Sequence, residues 1–139
     1  MPSPRTTTYF CPVQLTLDVV GGKWKPLILW LLRDGKLRFN DLLASMPGVT
    51  HKVLIQHLRD LERDGIVERT VIGQPRIRVE YGLTELGVTL RPALDAMSSW
   101  AKSHHRRFGA RIMMYERRRL ASVESADCPP AAERRRRAG

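Results

Sequence analysis

The sharpest constraint on this chain is a change of period at Gly65. Before it, in "THKVLIQHLRDLERDG" (50–65), the apolar residues recur at helical spacing. After it, "IVERTVI" (66–72) and "RIRVEYGL" (76–83) alternate with a period of two, the repeat of half-buried strands. The "GQP" (73–75) between them makes the pair a β-hairpin with a turn at its tip. In the second strand Ile77, Val79 and Tyr81 fall on one face, and Arg76, Arg78 and Glu80 on the other. A helix that runs straight into a hairpin needs further apolar surface to pack against, and the residues on either side supply it.

Upstream, "VQLTLDVV" (13–20) places Val13, Leu17 and Val20 on one side of a short helix stopped by Gly21-Gly22. A second helix has Pro26 in its first turn, where a missing N–H is harmless. It runs through "LILWLL" with no polar face, so it is predicted to be the central buried helix, ended by Asp34-Gly35. "RFNDLLASMPG" (38–48) reads as a third helix with Leu42, Leu43 and Met46 inward. Pro47-Gly48 breaks it, and Thr50 is a good N-cap for the fourth. Two short helices around a tight turn form a helix-turn-helix pattern. Downstream, Thr84 is predicted to cap one long helix carrying Leu90, Leu94, Met97 and Ala101, with Trp100 beside them. The expected fold is mainly α with a small β-hairpin. Residues 1–10 form a loose arm, 11–112 one domain, and 113–139 a basic, frayed tail.

Charge narrows the partners. The net charge is +10, and it is not a tail effect: residues 1–112 hold 17 basic against 10 acidic side chains. A folded part this basic points to a polyanion, nucleic acid before membrane, with a merely soluble basic surface as the alternative. Cys11 and Cys128 form no CxxC pair, which argues against a disulfide scaffold or a zinc site and fits a reducing cytosol. "MPSPRTTTYF" lacks the apolar core of a signal peptide, and the run from Pro26 to Leu32 is too short to span a bilayer. A soluble cytoplasmic protein is expected.

The fourth helix is the most informative element. Leu54, Leu58 and Leu61 make a narrow stripe; Lys52, Gln56, Arg59 and Arg63 lie opposite, with His51 and Ile55 on one shoulder. Long donors of this kind suit the major groove, where Arg and Lys reach guanine and Gln reaches adenine. An ordinary solvated face is the competing reading. Asp60, Glu62 and Asp64 gather at the far end and leave the amino-terminal half positive, the half that a recognition helix inserts. The hairpin that follows can act as a wing, laying Arg76 and Arg78 along phosphates or a minor groove. Gly22-Lys23-Trp24-Lys25 opens the buried helix, where free N–H groups favour a phosphate. Lys23 and Lys25 are therefore candidate backbone clamps, or else hinge charges; Arg38 is a weaker candidate, and Trp24 is expected to pack. The four histidines give no pair of ligands on one helix face, and His57, His104 and His105 are expected at the surface. No nucleophile–base pair, GxGxxG or P-loop is present, so neither an enzyme nor a cofactor is expected. A winged-helix module for protein or RNA interaction would need an apolar or acidic helix face, or stacking aromatics on the sheet. Lys52, Gln56 and Arg59, and a hairpin with only Tyr81, speak against it.

The words "CPV", "GGKW", "RFNDL", "PGVTHKVLIQHLRDLERDGIV", "VEYGLTELG" and "LRPALDAM" occur in order over residues 11 to about 102. In this the chain resembles the HxlR-type family of bacterial winged helix-turn-helix regulators. The resemblance implies a dimeric transcription factor that binds an inverted-repeat operator; a homodimeric, nucleoid-associated repressor is expected, with activation the open alternative. Thr50 to Asp64 would be its recognition helix, with Thr50, His51, Lys52, Gln56 and Arg59 toward duplex DNA, and residues 72–78 its wing. Dimerisation is expected through the first and last helices, at Val13, Leu17, Leu90, Leu94, Met97 and Trp100. Several members use the cysteine of "CPV" to sense oxidants or electrophiles, which makes Cys11 a candidate sensor; its competing role is that of a small buried hydrophobe. Cys128 and the basic extension after residue 113 fall outside the family pattern.

Overall fold

The computed structural model describes residues 7–112. Helix α1 (Pro12–Val20) follows a stretch without regular structure, and α2 (Lys25–Leu32) lies beyond the Gly21-Gly22 break. Strand β1 (Leu37–Arg38) leads into α3 (Phe39–Ser45), the turn at 46–50 and α4 (His51–Arg63). The hairpin is β2 (Val67–Ile72) and β3 (Arg78–Leu83), followed by α5 (Glu85–Val88), α6 (Arg91–His104) and a 3-10 turn (His105–Phe108).

The core is built as the apolar pattern dictates. Ile28, Leu29 and Leu32 of α2 are fully buried, against Leu42 of α3, Met46 at its C-cap and the Leu54, Leu58, Leu61 stripe of α4. Val67 and Tyr81 bring the sheet onto the same cluster. The turn before α4 uses Gly48 at φ 89°, a backbone shape that other L residues adopt only under strain. Thr50 Oγ1 then accepts from Val53 N at 3.2 Å and caps α4. At the other end, Gly65 N donates to Glu62 O and Ile66 N to Leu61 O, at 3.0 and 2.9 Å. Those two bonds, with Gly65 at φ 74°, are a Schellman motif. This motif is the physical cause of the change of period: it ends the helix and turns the chain into β2.

Three expectations need correction. The sheet has three strands in the order β1-β3-β2, all antiparallel, with Leu37 opposite Tyr81 and Arg38 opposite Glu80. A two-residue strand has no period to read. Second, β3 starts at Arg78, so Arg76 lies in the loop and does not share a strand face with it, and Ile77 is exposed. Third, the long helix from Thr84 is two helices. Thr84 Oγ1 accepts from Gly87 N at 3.1 Å and caps only α5. Pro92 sits in the first turn of α6; it has no N–H for the Val88 carbonyl, and its ring would clash with that group in a continuous helix. Thr89 closes α5 instead, its backbone N–H donating to Leu86 O at 3.2 Å. The basic tail and Cys128 lie outside the described residues, as do the first six residues of the arm.

Candidate nucleic-acid interface

With its leucine stripe buried, α4 has no choice about its outer face. His51, Lys52, Gln56, Arg59 and Arg63 are all exposed. They are not equivalent. The His51 ring meets Phe39 of α3 edge-on, with centroids 4.7 Å apart, so it is held against the helix-turn-helix. Gln56 Nε2 donates to Asp60 Oδ1 at 3.0 Å. Arg63 Nη1 lies 3.5 Å from the same oxygen, and Arg63 Nε 3.9 Å from Asp64. Lys52 in the first turn and Arg59 just past the middle are the other exposed cations of α4, with Thr50 at its amino end committed to its cap.

The two lysines of "GGKWK" part company. Lys23 is exposed and lies over the Trp24 ring, its Nζ 4.6 Å from the centroid. Lys25 turns inward instead: its Nζ is 3.8 Å from Asp60 Oδ2, and its side chain is only 14% exposed. Lys25 thus joins α2 to α4, and Trp24, half-buried against the core, packs as expected. Arg38 is exposed at the start of the third helix, and Arg76 and Arg78 are exposed at the wing.

A cleft of about 470 Å³ separates α4 from the sheet. Phe39, Ile55, Val79 and Tyr81 form its apolar wall; Arg59, Arg69, His51 and Glu62 line the rest. Arg69 was not singled out from the sequence. Its signal was there: in β2 it stands two residues from Val67 and from Val71, on their face of the strand, and it pairs with Tyr81 across the ladder. It therefore shares the face of the sheet that looks toward α4. Arg59 and Arg69 thus bring two guanidinium groups, with Glu62, to the cleft between α4 and the hairpin.

The surface expected for dimerisation is only partly exposed. Val13 and Leu17 on α1, and Met97 and Trp100 on α6, each leave more than half their surface open. Leu94 is buried within the chain, and Leu90 packs partly against the core. Cys11 is exposed at the N-cap of α1 in the single chain, so it is not part of this chain's own core. Its backbone N–H donates to Gln14 Oε1 at 3.1 Å. His57, expected at the surface, is half-buried. Among the described residues no helix is long and apolar enough to cross a membrane, and no three His, Cys, Asp or Glu side chains are grouped to hold a metal ion.

A helix-turn-helix backed by a small sheet and flanked by a basic hairpin defines the winged helix-turn-helix class. Within that class the chain belongs to the HxlR-like helix-turn-helix family, whose profile matches residues 19–108. It is 47% identical over 94 residues to the HTH-type transcriptional regulator YdeP of Bacillus subtilis, covering 68% of this chain and 73% of that one. Among solved structures, the oxidised form of the redox regulator HypR superimposes with a TM-score of 0.65 at 45% identity, covering 74% of this chain and 100% of HypR. The reduced form of the transcriptional regulator YodB from B. subtilis gives 0.60 at 34% identity, covering 67% and 92%.

Proposed function

We propose that this chain is a sequence-specific, double-stranded-DNA-binding transcriptional regulator, acting as a homodimer at an inverted-repeat operator in the bacterial cytoplasm. The observation that carries the reading is the outer face of α4, where Lys52, Gln56 and Arg59 stand opposite a fully buried leucine stripe. Lys52, Gln56 and Arg59 read base edges, while Lys23, Arg38, Arg69, Arg76 and Arg78 meet phosphates. The dimer forms through the open apolar faces of α1 and α6 and places two recognition helices about 34 Å apart, one turn of duplex. Repression is the simplest output, because an operator covered by this dimer is closed to other proteins. No catalytic step is assigned.

The experiment is selection of duplex DNA from a random pool, followed by titration of the selected site. An inverted repeat bound with steep salt dependence is the expected result. Gln56→Ala and Arg59→Ala should each weaken specific binding by about 1–3 kcal/mol and relax sequence preference. If both variants keep wild-type affinity and preference, α4 is not the reading helix.

A redox input is favoured by one further observation, the exposure of Cys11 at the start of the interface helix α1. HypR and YodB, both similar to this chain, are solved in reduced and in oxidised or diamide-treated forms. Diamide, or a quinone adding to the Cys11 sulfur, should lower operator affinity in wild type and in Cys128→Ser, and leave Cys11→Ser unaffected. Unchanged binding by wild type after confirmed modification of Cys11 rules the input out.

A further inference from the structure

A carboxylate beside a row of DNA-reading donors is out of place, because it repels phosphate whatever the sequence. Asp60 is such a group, and it is held from three sides. Gln56 Nε2 donates to its Oδ1 at 3.0 Å, Arg63 Nη1 lies 3.5 Å from that atom, and Lys25 Nζ lies 3.8 Å from Oδ2. Its side chain is 20% exposed. The two cations pin the carboxylate from α2 and from one helical turn further along α4, so its position does not depend on Gln56.

The consequence falls on Gln56. A carboxylate oxygen only accepts, so the Gln56 amide must turn its nitrogen toward Asp60. One of the two Nε2 hydrogens is used there. The outward edge of the amide is then the carbonyl Oε1, with the second hydrogen beside it. In the major groove this edge fits adenine, whose N6 amine donates to Oε1 while N7 accepts from Nε2. Guanine O6 and thymine O4 are acceptors, and either would face Oε1 acceptor to acceptor. Cytosine offers its N4 amine and no neighbouring acceptor, so it meets only half of the edge. An amide free to turn over would lose these distinctions, since nitrogen outward suits guanine as well as oxygen outward suits adenine.

We infer that Asp60 is a positioning residue for base readout: it fixes the Gln56 amide with its oxygen outward, and so selects adenine over guanine and thymine at the base pair under Gln56. The inference rests on α4 being the DNA-reading helix, and the experiment separates the two.

Duplexes are selected from a random pool with the full-length wild type, Gln56→Ala, Asp60→Asn, Asp60→Ala and the double variant Gln56→Ala/Asp60→Asn. The position whose preference Gln56→Ala flattens is the base pair that Gln56 reads. Wild type should favour adenine there over guanine by about tenfold or more, the discrimination typical of a good bidentate pair. Asp60→Asn is nearly isosteric, but its amide can present nitrogen as well as oxygen at the position that Gln56 and Arg63 share, so the Gln56 amide is no longer fixed one way round. Both Asp60 variants should cut the adenine-over-guanine ratio to about threefold or less at that position, leave the other positions intact, and add nothing in the Gln56→Ala background. A purely electrostatic role would raise affinity for every sequence equally, and a purely structural role would lower it equally. Either result, with the adenine preference retained, overturns the inference and leaves the DNA reading standing. So does a wild-type preference for guanine or thymine under Gln56. A wild type that selects no sequence at all overturns the reading of α4 and the inference with it.

Discussion

Lys23 and Lys25 lie two residues apart in a basic motif at the start of a helix, and the structure gives them different work. Replacing each separately tests that division. Lys23 is exposed, with only the Trp24 ring beneath it, so Lys23→Ala removes a phosphate contact and little else. Each phosphate neutralised contributes about 0.9 to the slope of log affinity against log salt. A dimer carries two copies, so the slope should fall by about 1.8, which between 50 and 200 mM salt is about a tenfold smaller loss of affinity. Lys25 faces Asp60 at 3.8 Å, and the two side chains are 14% and 20% exposed. At that separation the gross attraction is roughly 4 kcal/mol for an effective dielectric of about 20, before desolvation and side-chain ordering are subtracted. The net is about 1 kcal/mol, at the upper end of exposed pairs and well short of a fully buried one. Lys25→Met should therefore lower the melting temperature by about 4–8 °C and leave the salt slope near wild type. Titration of the selected operator at several salt concentrations, with thermal unfolding of each variant, reads both effects. If Lys25→Met flattens the slope as Lys23→Ala does and melts like wild type, the pairing with Asp60 does not govern Lys25. If Lys23→Ala leaves the slope unchanged, the amino end of α2 does not meet the backbone.

Three further outcomes follow from the packing. Leu58 is fully buried at the centre of the α4 stripe, so Leu58→Ala should lose about 2–5 kcal/mol in urea unfolding; a loss below about 1 kcal/mol would mean the stripe is not the core. Alanine favours helix over glycine by about 1 kcal/mol, yet a Cβ at Gly87 would run into the Ile66 carbonyl oxygen, which also accepts from Thr84 N at 3.1 Å. Gly87→Ala should consequently destabilise, by about 1–3 kcal/mol, and a stabilised variant would show that α5 can move off the sheet. Met97→Glu places a charge on the open face of α6 and should turn a dimer into a monomer in sedimentation without lowering far-UV helicity, whereas Leu94→Ala, inside the chain, should cost stability first. A Met97→Glu protein that stays dimeric would move the interface elsewhere.

Elements with a long period were legible in the sequence, and so was the join between them. The leucine stripe of α4, its Thr50 cap and the hairpin are all local consequences of side-chain order. What escaped is non-local or too short to repeat. Strand β1 has two residues and exists only because β3 offers it an edge. The break between α5 and α6 was written in Pro92, but Leu90, Leu94 and Met97 keep helical spacing across it, and the apolar period masked the proline. Lys52, Gln56, Arg59 and Arg63 are exposed along α4, opposite its leucine stripe, as their spacing implies. Which donors are free depends on Asp60, and Asp60 meets Lys25 from a helix 35 positions earlier in the chain. Arg69 looked like one more polar residue in an alternating strand until the sheet folded against α4 and gave it the Arg59 cleft as its surroundings.

The division of labour along α4 limits how much DNA one subunit can read. Arg63 is drawn between Asp60 and Asp64, so the carboxyl half of the helix holds its own charges. The residues left to reach base edges on the proposed reading are Lys52, Gln56 and Arg59, which lie seven steps apart from first to last, or about 10 Å of helix rise. At about 3.4 Å per base pair that is three steps of duplex. Each half-site on the proposed reading is then about three to four informative base pairs, and such a short word occurs too often in a genome to specify a location alone. Two copies at fixed spacing square the selectivity, which is why the exposed apolar faces of α1 and α6 matter to recognition as much as the donors do. The same arithmetic explains the use of an acidic residue here. The charge of the folded part supplies attraction to any duplex, so weakening that attraction slightly at Asp60 costs little, while fixing one amide changes the ratio between right and wrong sequences, and with so few base contacts that ratio sets occupancy.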